Sequence, residues 1–367
     1  MARAVSVPAF DPLSTGLIDR DRTCTSLTAF LAEGRLPSLL FAGPESSGKR
    51  TLALRLAQAA NCAETTRPCG TCRSCRTIAA LGHPDVRVLF PARKRRRKDD
   101  NDDPASAIAL MLEQSPDYAL DRTAPPLDPG LSIPVDAIRW VRREMSRPPF
   151  SAARRFFIIL HAERMTTEAA NAFLKTLEEP QQQSALVLTT SAPSMLPDTI
   201  RSRCRFIRFP AVAAAPIRDW LIAEHDAEPA AAALAAEFSG GSPGRALRFL
   251  TDPDEHLDPV VVDFFVRPQD GEDRVFSALD ALGRTPLPTI TASFLFLLDQ
   301  ALRVRHELPT CYAAANPDLV RRARMLPDDY LRRAIRYVTE RLDEARLSGI
   351  NRRLFLYTLL ASLRHAA

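Results

Sequence analysis

Between residues 39 and 209 the hydrophobic positions fall into short, nearly continuous apolar runs. Four of these runs read LLFAG, VRVLF, RFFIIL and ALVLTT. Each run has the length of a strand, and the segments between the runs are long enough to hold crossover helices. Strands that are apolar throughout are typical of a parallel sheet covered on both faces, so this region predicts an α/β domain.

Beyond residue 209 the hydrophobic positions change to helical spacing. Residues 210–250 are alanine-rich and end in SGGSPGRALRFL, a pattern that predicts a small helical domain. Further along, one apolar stripe at helical spacing is formed by Leu331, Ile335, Val338, Leu342 and Ala345. We interpret this stripe as the core of a third, all-helical domain.

These patterns divide the chain into an α/β domain at 1–209, a helical lid at 210–255 and a helical C-terminal domain at 256–367. The segment 92–107 interrupts the first domain with six consecutive basic residues and then four acidic ones within five positions. This charge pattern predicts a disordered surface loop. The alternative is a DNA contact by the basic run at 93–98, because cationic segments gain affinity by releasing counterions from phosphates.

Length and composition fit this division, since 367 residues at roughly 150 per domain give two or three domains. The net charge of +5 is compatible with an anionic partner but is also common in proteins that never touch nucleic acid. No run of 18 apolar residues offers a membrane span, and the N-terminal segment lacks the pattern of a secretory signal. We therefore expect a cytoplasmic protein without a membrane partner.

Residues 43–49 read GPESSGK and match the phosphate-loop pattern G-x-x-x-x-G-K between a predicted strand and a predicted helix. In such a loop Gly43 and Gly48 would let the backbone wrap around phosphate oxygens, and Lys49 would reach the terminal phosphates. The next residue is Arg50, where these loops place a serine or threonine whose hydroxyl binds Mg²⁺. A guanidinium group has no lone pair to offer a cation, so this half of an ATPase site is damaged.

The strand that should carry the acidic half of an ATPase site is also altered. RFFIIL is followed by His161 and Ala162, and neither side chain can hold magnesium or polarise water as a carboxylate does. Glu163 comes next, but we expect strand alternation to turn its carboxylate away. The sequence therefore predicts a nucleotide-binding fold without hydrolytic activity and leaves open whether Lys49 binds ATP.

Four of the seven cysteines form a cluster with the spacing C-x6-C-x2-C-x2-C, namely Cys62, Cys69, Cys72 and Cys75. Four thiolates at such spacings can close on one tetrahedral Zn²⁺, and the metal would then supply the fold of a loop that has little core of its own. We expect arginines in the loop to help keep the thiolates ionised. Free thiols or a redox pair are the alternative.

Several segments, in order over residues 13–210, resemble the clamp-loader branch of the AAA+ proteins from bacterial DNA polymerase III. They are the phosphate loop with its helix, the cysteine cluster, HAERMTTEAANAFLKTLEEP and LPDTIRSRCRF. The resemblance implies an AAA+ P-loop domain with a zinc loop, a helical lid and a C-terminal collar that oligomerises. It also implies gamma/tau motor subunits and a delta subunit as partners, with the sliding clamp and primed DNA reached through the assembly.

Within that family, motor subunits keep a hydroxyl after the phosphate-loop lysine and an acidic pair after the next motif strand. This sequence has Arg50, His161 and Ala162 at those positions, so the resemblance implies a subunit that is not a motor. The family's second-sensor arginine falls on Gly244, and Arg245 comes one residue late. A further nucleotide contact is therefore expected to be missing.

Arg203, in the segment SRC, aligns with the arginine finger of the family. The resemblance implies that Arg203 acts in trans, on the γ-phosphate held by a neighbouring motor. The alternative is a surface arginine in a salt bridge. For the whole chain, the alternatives are an ATP-hydrolysing motor of the gamma/tau type and a zinc-dependent DNA-binding protein that uses the cysteine loop and residues 93–98.

Overall fold

The computed structural model describes most of the chain, namely residues 17–18, 20–34, 36–92, 130–178, 183–253, 257–267, 272–347 and 351–364. The predicted surface loop at 92–107, apart from Ala92, lies outside these residues, and so does the basic run at 93–98. The chain forms two compact units. The first contains Met1–Pro216 with Ser242–Gly244, and the second contains Ile217–Gly241 with Arg245–Ala367. The finer division into an α/β domain, a lid and a collar stays a prediction.

The first unit is built around one parallel sheet. Its strands are β1 Leu39–Ala42, β2 Val86–Leu89, β3 Arg155–Ile159, β4 Ser184–Thr190 and β5 Arg205–Arg208. The order across the five-stranded sheet is β2-β3-β4-β1-β5, and every pairing is parallel. The parallel α/β prediction is therefore confirmed. Strands β1 to β4 correspond to the four apolar runs. β5 has only two apolar residues between two arginines and is largely exposed at the sheet edge, which is why no apolar run marked it.

Helices cover this sheet. They are α1 Asp21–Ala32, α2 Lys49–Asn61, α3 Arg73–Ala79, α4 Val135–Met145, α5 Thr167–Glu178 and α6 Asp198–Arg201, with short 3-10 turns at Ala162–Arg164 and Pro193–Met195. The Thr166 hydroxyl caps α5 by accepting the Ala169 N–H at 3.2 Å. Because β1 lies between β4 and β5 and α2 follows it directly, the loop between them stands at the sheet's carboxyl edge beside the end of β4.

The rest of the described chain is helical. Its helices are α7 Ala214–His225, α8 Pro229–Phe238, α9 Pro243–Thr251, α10 Pro259–Val266, α11 Glu272–Ala281, α12 Leu287–Arg305, α13 Cys311–Ala315, α14 Pro317–Met325, α15 Asp328–Leu347 and α16 Arg352–Arg364. The stripe predicted on α15 is core as far as it is described, since Leu331 and Val338 are buried and Ile335 packs on the same cluster. The side chains of Leu342 and Ala345 lie outside the described residues. None of the described helices combines the length and the apolar character that a membrane crossing requires.

Candidate functional site

The phosphate loop connects the carboxyl end of β1 to the start of α2, the context that the motif requires. The Gly43 N–H donates to the Thr190 carbonyl at 3.2 Å, which ties the loop to β4. A Cβ atom on Gly43 would lie 2.1 Å from the Phe209 carbonyl oxygen, so no side chain fits there. Gly48 has a φ of 92°, in the left-handed region that favours glycine. Packing therefore requires Gly43 and backbone conformation favours Gly48, whether or not the loop binds a phosphate.

The Lys49 ammonium group is turned into its own loop. Its Nζ donates to the Gly43 carbonyl at 2.7 Å and to the Pro44 carbonyl, and its side chain is buried. Burial lowers the pKa of Lys49 to about 8, against the opposing effect of the nearby Glu163 and Glu45 carboxylates. In a nucleotide-loaded loop the lysine donors point at phosphate oxygens. Here they are satisfied by the loop itself.

The outer side of the phosphate loop is held by residues 242–244, which belong to the same compact unit. The Ser242 hydroxyl donates to the Glu45 carbonyl at 2.7 Å. The Gly244 N–H donates to the Ser46 carbonyl at 3.1 Å. At the position where the sequence lacks a second-sensor arginine, the chain therefore contributes a backbone bond to its own loop.

The expectation that strand alternation turns Glu163 away is wrong, because β3 already ends at Ile159. His161 then takes a left-handed conformation with φ of 52°, and Glu163 lies in the 3-10 turn that follows. As a result its carboxylate turns back towards the end of β4. There Oε1 accepts from the N–H and the hydroxyl of Ser191, at 3.2 and 2.9 Å.

Glu163 is a buried anion, with only 5% of its side chain exposed. Burial by itself raises the pKa of Glu163, but hydrogen bonding and charge from His161, together with the Thr190 hydroxyl, outweigh it and hold the pKa at about 2. The carboxylate also lies near enough to Lys49 to oppose the fall in its pKa. A buried cation in the phosphate loop and a buried anion in the turn after β3 thus lie near enough to each other to interact.

The four clustered cysteines converge on one point. Their Sγ atoms all lie within 4.8 Å of one another. The Sγ atoms of Cys62 and Cys72 are 4.0 Å apart, and so are those of Cys69 and Cys75. A tetrahedral zinc with Zn–S bonds of about 2.3 Å places its sulfurs about 3.8 Å apart, so a small inward shift closes the cage.

Backbone N–H groups prepare the cysteine loop for a metal. The Cys72 N–H points at the Cys69 sulfur at 3.3 Å, and the Cys75 N–H points at the Cys72 sulfur at 3.4 Å. These hydrogen bonds lower the pKa of Cys69 to about 6 and also lower that of Cys72, while burial raises the pKa of Cys75 to about 12. The stabilisation of thiolate comes from the backbone rather than from the loop arginines that we expected.

The cysteine loop is fastened to α2. The Gln58 amide donates to the Cys75 carbonyl at 2.7 Å, and Cys62 follows directly after the last residue of the helix. Four thiolate donors with no other ligand type match a structural zinc site, which has no open coordination position. The donor set therefore fits Zn²⁺ as a structural metal.

Arg203 lies on the surface between α6 and β5. Its Nη2 donates to Glu178 Oε1 at 2.7 Å, and its Nη1 donates to the Thr199 carbonyl at 3.0 Å. The side chains of Arg203 and Glu178 are 36% and 49% exposed. Within this single chain Arg203 is thus a salt-bridged surface residue that a neighbouring molecule can reach.

Sequence reasoning missed two residues that shape these sites. Ser242 and Glu178 both stand in segments that the sequence singles out, SGGSPG and TLEEP. Their partners, Glu45 and Arg203, are 197 and 25 residues away along the chain. No local pattern covers such separations, so the sequence carried no signal for either contact.

A family model and curated relatives link this chain to subunits of DNA polymerase III. A family model described as DNA polymerase III, delta subunit, matches residues 20–213. The DNA polymerase III subunit delta' of Bacillus subtilis is 32% identical over 201 residues, which cover 54% of this chain and 50% of that protein. The subunit delta' of Escherichia coli is 26% identical over 303 residues, covering 82% of this chain and 79% of that protein.

The match also has limits of length. The chain spans about half the length of the Bacillus subtilis relative. Among solved structures, a DNA polymerase III gamma subunit-related protein from Thermotoga maritima is 16% identical with a TM-score of 0.43, and the match covers 93% of this chain and 98% of that one.

Proposed function

This chain belongs to the DNA polymerase III delta-subunit family, and on that premise we propose that it is the non-motor, delta-prime-type subunit of a bacterial clamp loader. In this role it hydrolyses no ATP of its own. It works in the cytoplasm with gamma/tau motor subunits and a delta subunit, and the assembly loads a sliding clamp onto primed DNA for replication.

One observation carries the non-motor role: the phosphate loop is hydrogen-bonded to groups of its own chain. Lys49 bonds to two loop carbonyls, while Ser242 and Gly244 bond to two more. A phosphate would have to draw Lys49 away from its two carbonyls, and Arg50 and Ala162 would offer its magnesium no oxygen ligand from their side chains. Nucleotide binding by this chain is therefore expected to be weak or absent.

Arg203 is proposed to act on a nucleotide held by a neighbouring motor. Support comes from its exposure and from its place in SRC, after α6. Exposed ion pairs contribute only about 0–1 kcal/mol, so the bond to Glu178 is easily exchanged. A guanidinium group binds phosphate oxygens through charge-assisted hydrogen bonds that are stronger than neutral ones, and in a transition state they stabilise developing charge.

The cysteine loop is proposed to hold one structural Zn²⁺ through Cys62, Cys69, Cys72 and Cys75. The metal would supply folding free energy to a loop with little apolar core. It would take no part in chemistry, since four protein ligands leave no position for water or substrate.

The two helical regions are proposed to serve the assembly. Residues 256–367 would form the collar that holds subunits together, and residues 210–255 would form the lid. The buried cluster on α10 to α16 supports the first assignment because it gives this region a core of its own.

The experiment that tests the proposal is the DNA-stimulated ATPase rate of a reconstituted clamp loader that contains either the wild-type chain or Arg203→Ala. Arginine fingers contribute about 10³- to 10⁵-fold, so turnover at the site facing this chain should all but stop. Arg201→Ala is the matched control, because Arg201 is an exposed arginine two residues before Arg203 and its ion-pair partner, Asp198, is on the same helix.

The isolated chain provides the second half of the test. It should neither hydrolyse ATP nor bind DNA strongly. ATP turnover by the isolated chain would instead support a gamma/tau-type motor, and salt-dependent DNA binding that deletion of residues 93–98 abolishes would support the DNA-binding alternative.

A further inference from the structure

We propose that Glu178 is a positioning residue that holds Arg203 in a resting orientation, from which a phosphate on a neighbouring subunit withdraws it. This inference rests on the proposed role of Arg203 in trans. It adds a regulatory contact inside the chain. Arg203 stays bonded to Glu178 until a nucleotide phosphate is bound at the neighbouring site, and it then bonds to that phosphate instead.

The guanidinium group is held from two sides. Glu178, the last residue of α5, takes Nη2, and the Thr199 carbonyl on α6 takes Nη1. Both terminal nitrogens therefore point at the chain's own oxygens. Because the guanidinium is planar and rigid, turning it towards another molecule breaks both contacts together.

The ion pair between Arg203 and Glu178 is weak enough for a phosphate to replace the carboxylate. Both partners of the ion pair are more than a third exposed, so solvent screens their attraction. Exposed pairs of this kind shift an equilibrium by about 1.4- to 5-fold. A phosphate with more than one negative charge attracts Arg203 more strongly than one carboxylate does, so its arrival favours the released orientation.

Glu178 keeps positive neighbours after Arg203 leaves. It lines a cavity of about 580 Å³ together with Arg142, Arg143 and Lys175. Among the residues that the structure describes, none of these three cations forms an ion pair. The released carboxylate therefore remains in a positive environment, which lowers the cost of opening the Glu178–Arg203 pair.

A neighbouring ion pair shows what a merely local contact looks like. Arg201 bonds to Asp198 three residues earlier on the same short helix. The pair of Arg203 and Glu178 instead joins residues 25 positions apart, one at the end of α5 and the other in the turn between α6 and β5. Asp198→Asn thus removes a more exposed carboxylate close to Arg203 along the chain without removing a partner of Arg203, and it serves as the control.

The test uses reconstituted clamp loaders with the wild-type chain, Glu178→Gln, Asp198→Asn, Arg203→Ala and the Glu178→Gln/Arg203→Ala double variant. ATPase rates are measured with and without primed DNA. Glu178→Gln should raise the DNA-independent rate at the facing site by about 2- to 5-fold and leave the DNA-stimulated rate unchanged. Asp198→Asn should change neither rate, and in the Arg203→Ala background Glu178→Gln should have no effect.

The outcomes separate the two proposals. If Arg203→Ala lowers the DNA-stimulated rate while Glu178→Gln changes neither rate, the restraint by Glu178 is refuted and the arginine-finger role of Arg203 is supported. If Glu178→Gln lowers both rates, the carboxylate supports the active orientation, which also overturns the inference. If Arg203→Ala has no effect, the finger itself is wrong. The thermal midpoint of isolated Glu178→Gln should equal that of the wild type, because the pair is exposed.

Discussion

The phosphate loop and the cysteine loop are two sites that the sequence marks by spacing, and the fold treats them in opposite ways. In the phosphate loop, polar groups bond to one another, and Lys49 is turned inward. In the cysteine loop, four sulfurs face each other and two backbone N–H groups point at sulfur. Spacing therefore predicts the path of the backbone, while the partners that its polar groups find decide what a site can bind.

The difference has a physical cause. In the phosphate loop, four consecutive carbonyl groups accept hydrogen bonds from Lys49, Ser242 and Gly244 of the same chain. The cysteine loop carries four sulfurs that accept hydrogen bonds weakly, so nothing within the chain replaces a metal. Each of the following changes tests one side of this contrast.

The largest expected effect is on the cysteine loop. Cys75→Ser should remove the bound zinc, because Cys75 is the fully buried ligand and serine oxygen is a poor substitute for thiolate. Since metal binding supplies folding free energy, the thermal midpoint should fall by about 10 °C or more. Zinc content by mass spectrometry of the native protein and a calorimetric melt measure both quantities.

Cys311→Ser is the control for that change, since Cys311 is exposed and stands outside the cluster. It should retain one zinc per chain and melt as the wild type does. Wild-type protein without zinc, or a Cys75→Ser chain that keeps it, would remove the contrast between the two loops.

A smaller effect is expected from the glycine that packs the phosphate loop. Gly43→Ala places a Cβ 2.1 Å from a backbone oxygen of Phe209, so the backbone must move. We expect a loss of about 3 kcal/mol in the free energy of unfolding, read from urea titration. Gly82→Ala, whose Cβ would meet nothing nearer than 3.9 Å, should cost far less. Equal costs would mean that the loop is not held tightly against Phe209.

An effect of about the same size concerns Glu163 and depends on pH. Its pKa is about 2 in the folded chain against an ordinary value of 4.5, so its contribution to stability is fully present above pH 4.5 and is lost as the pH falls towards 2. The stability gap between wild type and Glu163→Gln should therefore shrink by about 3 kcal/mol over that range. Urea titrations at several pH values measure this gap. A gap that stays constant would show that the Glu163 carboxylate is not stabilised inside the loop.

The sequence predicted more of the backbone than of the contacts. The apolar runs located β1 to β4. β5 was missed because an edge strand with exposed arginines has no apolar signature. The direction of Glu163 was misjudged because the left-handed turn at His161 depends on tertiary packing, which no periodicity records.

The same limit explains the sites. The cysteine spacing alone indicated the metal ligands, because all four lie within one short segment and its geometry is local. The bonds from Ser242 and Gly244 to the phosphate loop connect residues almost 200 positions apart. Ser242 and its partner Glu45, for example, are separated by 197 positions. Such contacts depend on how the whole chain folds.

Helix α2 starts at Lys49 in one loop and stops at Asn61, next to Cys62 in the other. At 1.5 Å per residue it is a rigid rod of about 20 Å with a fixed anchor at each end. With the proposed zinc bound, the cysteine loop would hold the end of α2 at Asn61 in place. Metal loss would loosen α2 first at its Asn61 end. Any shift of the helix would then displace its Lys49 end, where the phosphate loop connects it to β1.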